Sequence, residues 1–192
     1  MNDIKNWLEN EWKDNKFKKY ITVNIIVLIL LVLVFYIYEY GFLKSLRYTI
    51  IFLGMILITW IDRKFKIIPN KILIFLLSVR GIILAIECLT CFEISGMLLI
   101  STFIGMLVGG GIFMLAKLIS RGGVGMGDVK LFVIIGSYVG NAVIVPLIFF
   151  TVFSSAIYSI CQLIRKKTSL KDDIPFAPFI FIGMIITFGM GF

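Results

Sequence analysis

The chain has 192 residues, 60% of them hydrophobic, and a mean hydropathy of +1.04. Soluble domains use about 45–50% apolar residues, so these values exclude an ordinary soluble domain and predict an all-α polytopic membrane bundle in contact with the lipid bilayer. With no histidine and only three cysteines (Cys88, Cys91, Cys161), the chain cannot build a Ser-His-Asp triad, a Cys-His pair or an HExxH zinc site. Hydrolysis, if any, is left to carboxylates or to serine with lysine. The net charge of +8 is expected to record topology rather than a nucleic-acid partner, so its distribution matters more than its sum.

Residues 1–20 set Lys5, Lys13, Lys16, Lys18 and Lys19 among four carboxylates, with Trp7, Leu8 and Trp12 spaced for one helical face. That pattern fits an amphipathic segment at the membrane interface or a loosely ordered tail. Residues 21–38 are an uncharged run long enough to cross a hydrocarbon core of about 30 Å at roughly 1.5 Å per residue. The run exceeds a signal-peptide core of about 7–15 residues and no small-x-small cleavage site follows, so an uncleaved first helix is expected.

A second span covers residues 48–61 with the residues just before them, and ends at Asp62-Arg63-Lys64-Phe65-Lys66. A third starts at Ile68-Pro69-Asn70 and runs to about Ile86; proline suits a first helical turn, where its missing N–H is no loss. Arg80 lies inside this span, either facing other helices or snorkelling outward. Cys88-Leu89-Thr90-Cys91 has C-x-x-C spacing near its end, but a structural zinc site needs four ligands, so no metal is expected. The fourth span, residues 94–119, carries Gly105 and Gly109 in small-xxx-small spacing, followed by Gly110 and Gly111, as for close helix packing.

From Asp128 to Ile164 the chain runs 37 residues with Lys130 as its one interior charge, about 55 Å as a single helix and nearly twice a bilayer core. The break is placed at Gly140-Asn141. Asp128–Val139 is then about 18 Å long, too short to span, and Asp128 should begin its helix below the membrane surface. A sixth span covers 142–164, with Pro146 in its first turns, and a seventh 174–192. With the N-terminus inside, this order puts 16 of the 19 basic residues on the cytoplasmic side, only Lys44 and Arg47 outside and Arg80 within a helix. The positive-inside rule therefore predicts a cytoplasmic N-terminus.

Under this topology Asp62 and Asp128 both face the cytoplasmic side. Two carboxylates brought close share one proton, so one acts as base and the other as acid, which activates water for attack on an amide without histidine or metal. Two bland uses compete: Asp128 following Gly127 suits a helix N-cap, and Asp62 suits an interfacial pair with Arg63 or Lys66. For Lys130, interfacial snorkelling is the expected role.

Three ordered segments then point to a family. Gly125-Met126-Gly127-Asp128-Val129-Lys130-Leu131, with Gly136 and Gly140 following, resembles the GxGD segment of the type IV prepilin leader peptidases, which are intramembrane aspartic proteases. Ile61-Asp62, followed by Pro69 and Asn70, resembles that family's first aspartate and the start of the next helix. Ile174-Pro175-Phe176-Ala177-Pro178-Phe179 resembles its last-helix motif, with Ala177 where glycine is expected. The resemblance covers about residues 45–192 and implies a six-helix core there, preceded by a tail at 1–20 and an additional N-terminal helix at 21–44.

By resemblance Asp62 and Asp128 are the catalytic pair. Gly125 and Gly127, with Pro69, Asn70, Pro175 and Pro178, shape the backbone beside the scissile peptide, and the substrates are prepilin-like precursors with short basic leaders. Larger members similar to this chain carry an insertion with four zinc-binding cysteines, associated with N-methylation; here that insertion is missing, so the resemblance implies a peptidase-only form that needs no cofactor. The loop 120–127, with Gly122 and Gly123, suits either a hinge that admits substrate or a plain connector. Two rival readings are a transporter binding a cation at Asp128 near the broken fifth and sixth spans, and a non-catalytic assembly subunit.

Overall fold

The computed structural model describes residues 15–120, 123–165 and 174–191. Among them are seven α-helices: α1 Asn15–Ile37, α2 Phe42–Phe65, α3 Asn70–Thr90, α4 Ser95–Ile119, α5 Met126–Val139, α6 Asn141–Ile164 and α7 Ala177–Gly189, with a 3-10 turn, Phe92–Ile94, leading into α4. Residues 1–14 of the expected amphipathic tail, Gly122 of the expected hinge, and Lys166, Lys167, Lys171, Asp172 and Asp173 of the last basic segment lie outside the described residues. Lys16, Lys18 and Lys19 belong to the same helix as the first span.

Five helices are long and apolar enough to cross a membrane: α1, α2, α3, α4 with its leading turn, and α6. The protein is a multi-pass helical membrane bundle. The two short helices are the inner ones. Nine of the 14 residues of α5 and nine of the 13 of α7 are buried, against 17–44% of the span windows of the five long helices. A helix apolar on all sides belongs in the interior; α7 is one, and so is α5 beyond Asp128 and Lys130 of its first turns.

The break expected between the fifth and sixth spans falls at Gly140, whose φ of +79° separates α5 from α6. A side chain there would sit strained and 2.5 Å from Ser101 Oγ, which itself donates to Asn141 Oδ1 at 2.9 Å. The last span is shorter than its apolar run of 174–192 suggests. Pro175 precedes α7, Pro178 occupies its first turn, and Gly191 at φ +79° lies just past its end. Proline biases the residue before it toward extended backbone, which accounts for the late start.

Helix α5 is drawn against α4 by glycines on both sides. A Cβ on Gly105 would collide with the Gly136 carbonyl, one on Gly136 with the Gly105 carbonyl, and one on Gly109 would lie 2.6 Å from the Phe132 carbonyl. The small-residue stripe read from the sequence thus packs backbone on backbone, as such stripes do in lipid, where dispersion and close approach replace the hydrophobic effect.

At its C-terminal end α5 is held by Arg80, which faces inward and is 2% exposed. Arg80 Nε donates to the Ser137 carbonyl at 2.6 Å, one of the last carbonyls of α5, and its other nitrogens reach Glu87 Oε2 (2.8 Å) and Thr102 Oγ1 (3.0 Å). Arg47 donates to the second oxygen of Glu87 at 3.2 Å. Sequence alone left the direction of Arg80 open; its buried anion resolves it, because an unpaired charge at that depth costs about 2.5–3.5 kcal/mol on insertion scales. Cys88 and Cys91 sit at the end of α3 as free, partly exposed thiols.

The N-terminal helix packs along α2. Tyr20 Oη donates to the Ile56 carbonyl at 3.0 Å, and the Trp60 ring lies 5.0 Å from the rings of both Phe17 and Tyr20. These contacts fall on the last two turns before Asp62.

Candidate active site

Asp62 lies in the last turn of α2 and is only 5% exposed. The helix stops three residues later because Lys66 turns into the left-handed region (φ 54°, ψ 37°), its N–H closing on the Asp62 carbonyl at 2.8 Å. The chain then runs through Ile67 and Ile68 to Pro69, which stands at the N-cap of α3 rather than within its first turn; its carbonyl accepts from Ile72 and Leu73. This short return places Ile68 beside the start of α5.

Asp128 is the third residue of α5 and partly buried. It is not the N-cap. Gly125 holds that position, and the Asp128 carboxylate turns back toward the Gly125 N–H, its Oδ2 lying 3.0 Å from where a Gly125 Cβ would stand. A third-position carboxylate turned toward the N-cap backbone has the placement of one half of a capping box. Neither glycine of the motif has a positive φ, so what they supply is room: a Cβ on Gly127 would meet Ile68 Cβ at 3.0 Å.

Asp62 does not turn to Arg63 or Lys66. Its Oδ2 accepts the Ala177 N–H at 2.9 Å, at the N-terminus of α7, while Thr59, one turn earlier, donates to the Ala177 carbonyl at 3.5 Å. A helix N-terminus is a natural site for a carboxylate, since its first N–H groups lack intrahelical partners. The Pro-Phe-Ala-Pro segment thereby gains a physical meaning: Pro175 and the buried Pro178 fix where α7 begins, and the N–H exposed there is the one that holds Asp62. Ala177 is fully buried, so alanine fits where glycine was expected.

Asp62 and Asp128 line one cavity of about 290 Å³, with Asn70, Gly125, Gly127, Lys66 and Lys130 also on its wall. Two residues far apart in the chain, on helices α2 and α5, thus share a single space. Lys130 does not reach outward only: its Nζ donates to Asn70 Oδ1 at 3.1 Å, joining α5 to the first residue of α3. Sequence reasoning did not find this bond, nor the places of Lys66 and Ile68, because each depends on which helices are neighbours. Pro69, Pro175 and Pro178 act as helix-start residues and are not on the cavity wall. Among the described residues no three cysteine or carboxylate side chains converge as metal ligands.

Two aspartates on one cavity inside a helical membrane bundle define a membrane protein with a two-carboxylate site. The chain belongs to the type IV leader peptidase family, whose sequence model matches residues 49–160, more than half of its length and a stretch that includes both aspartates. It is 31% identical over 157 residues to the prepilin leader peptidase/N-methyltransferase of Bacillus subtilis (strain 168), a match covering 80% of this chain and 59% of that protein. The chain therefore spans about three-fifths of the length of this relative. No solved structure matches it.

Proposed function

We propose that the protein is an intramembrane aspartic endopeptidase of the cytoplasmic membrane that removes short basic leader peptides from prepilin-like precursors, with Asp62 and Asp128 as its catalytic pair. The observation that carries this reading is the common cavity of the two carboxylates, in a chain of this family. One carboxylate, ionised, takes a proton from a water held between the pair while the other, protonated, donates to the scissile carbonyl oxygen. Water oxygen bonds to the carbonyl carbon and a tetrahedral diol forms. The first carboxylate then returns its proton to the leaving nitrogen, the C–N bond breaks, and the second recovers its own.

The cavity lies at the junction of helix ends rather than in mid-bundle, which suits a substrate whose leader is in water and whose following segment is apolar. The excess of basic residues on the same side as Asp62 and Asp128 supports a cytoplasmic location for the site and for the N-terminus. Membership of the peptidase family counts against the transporter reading.

The test is cleavage of a purified precursor carrying a basic leader and an apolar helix, comparing wild type with Asp62→Asn and Asp128→Asn at equal folded amounts. Loss of cleavage by about 10²–10⁴-fold in each variant is expected, the range spanned by general acid–base groups. Cleavage near the wild-type rate by either variant would remove the pair from the mechanism. A wild type unable to cut several leaders would remove the activity itself.

A further inference from the structure

Beside the aspartate cavity lies a second, larger one of about 420 Å³, and the two share Asn70 and Lys130. Its walls are two helical stripes. From α3 come Asn70, Leu73, Ile74 and Leu77, and from α5 come Lys130, Val133 and Ile134. Both sets follow the spacing of three and four residues that marks one face of a helix. Because Asn70 and Lys130 each stand near the start of their helix, both stripes lead away from the aspartates in the same direction. The groove follows α3 for seven residues, about 10 Å or two helical turns.

The packing around it explains why space remains. Glycines hold α5 to α4, not to α3. Toward α3 it is tied only at intervals: by Lys130 to Asn70 at the near end, and by Tyr138 Oη to the Leu76 carbonyl (2.7 Å) and Arg80 Nε to the Ser137 carbonyl at the far end. Between these ties Ile74 and Leu77 remain exposed at 64% and 44%.

We infer that this groove between α3 and α5 seats the first two turns of the substrate's apolar helix, the part directly after the scissile bond. The inference rests on the peptidase reading and gives that reading a direction. Continuity with the aspartate cavity selects this occupant over a lipid chain or a second copy of the protein. A peptide bond held at the carboxylates leads, across the Lys130–Asn70 bond, into an apolar trough of helical periodicity, which is the sequence of environments that a polar leader joined to an apolar helix requires. Helix-in-groove recognition uses the same spacing of anchors. The Lys130–Asn70 bond is the threshold between the two compartments, and the substrate helix runs parallel to α3 and α5.

The experiment places a photo-crosslinking amino acid at Ile74, Leu77 or Val133, and at Phe149 and Ile157 on the lipid-exposed surface of α6, in full-length Asp128→Asn protein that retains uncut precursor. The wild type is assayed for cleavage of the same precursor in parallel. Groove positions should give at least about tenfold more precursor adduct than the α6 positions, with residue 74 reaching substrate residues nearer the cut than residue 77. A second arm fills the trough with Leu77→Trp. Processing of the full precursor should slow by at least about tenfold more than that of a leader peptide ending two residues past the cut, the scale of discrimination expected from a few apolar groups. Equal adduct yields from groove and α6, adducts to lipid or to a second copy alone, or equal slowing of the two substrates would overturn the groove while leaving a cleaving wild type in place. A wild type that cuts nothing would overturn the groove and the peptidase reading together.

Discussion

The bundle interior is charged at both ends of α5, and the two ends treat their charges differently. At the C-terminal end Arg80 and Arg47 share Glu87, with Thr102 and the Ser137 carbonyl filling further bonds. Nine residues away, about 14 Å along the axis, Asp128 shares a cavity with Asp62; Asp62 accepts the Ala177 backbone N–H, and the Asp128 carboxylate turns back toward the Gly125 backbone. The first arrangement pairs opposite charges, two arginines on one glutamate, and spans four helices, as a structural tie does. The second brings like charges together beside open space. Such a grouping adds nothing evident to stability, and its placement makes sense for a site where a proton is shared and water is handled.

The contrast is sharpest when the two ends are mutated in parallel. Asp128→Asn should lose processing by about 10²–10⁴-fold while its thermal midpoint in detergent holds or rises, because removing one of two facing charges strands no partner. Glu87→Gln should do the opposite to stability, leaving two arginines uncompensated at a cost of about 3–5 kcal/mol, read as a lower midpoint or lost folded yield. Replacing Arg80 and Glu87 together by methionine should recover part of that loss, since a buried pair exchanged for apolar side chains of similar volume is often close to neutral. A midpoint falling equally in Asp128→Asn and Glu87→Gln would erase the distinction between the ends.

Smaller effects come from the glycines between them. Gly136→Ala sets a Cβ against the Gly105 carbonyl and should cost about 1–3 kcal/mol as overpacking. Gly111→Ala, whose Cβ meets open space, should be neutral or stabilising by up to about 1 kcal/mol in the same melts. Gly127→Ala should cost less stability than Gly136→Ala and more than Gly111→Ala, because Ile68 Cβ, 3.0 Å from the new Cβ, has only to yield by tenths of an ångström. Processing should nevertheless fall by about tenfold, since small displacements of a catalytic group are amplified in rate; parallel melts and cleavage assays check this.

Much of the fold was legible because membrane segments announce themselves locally. Apolar runs of sufficient length, the glycine stripe at 105 and 109, and the break at Gly140-Asn141 are properties of neighbouring residues, and each is where the pattern put it. Asp62 and Asp128 were legible as a pair through their place at span ends and through the motifs around them. The shortened α7 was less so, since an apolar run does not say where within it the helix begins; Pro175 and Pro178 do, once their role as start signals is given precedence.

What the sequence determined by itself was composition, the order of the helices among the described residues, and the candidate carboxylates, because bilayer thickness and backbone hydrogen bonding act on contiguous residues. Tertiary structure alone decided who meets whom. It turned Arg80 inward to Glu87, took Asp62 to the Ala177 N–H, moved the N-cap from Asp128 to Gly125, and stretched Lys130 to Asn70. Apart from the Arg80–Glu87 pair, which lies along α3 but faces Thr102 and Ser137 of neighbouring helices, these contacts join groups on different helices or depend on how a helix end is packed, and a choice among polar partners inside a bundle is made by the geometry of packing, which no local pattern encodes.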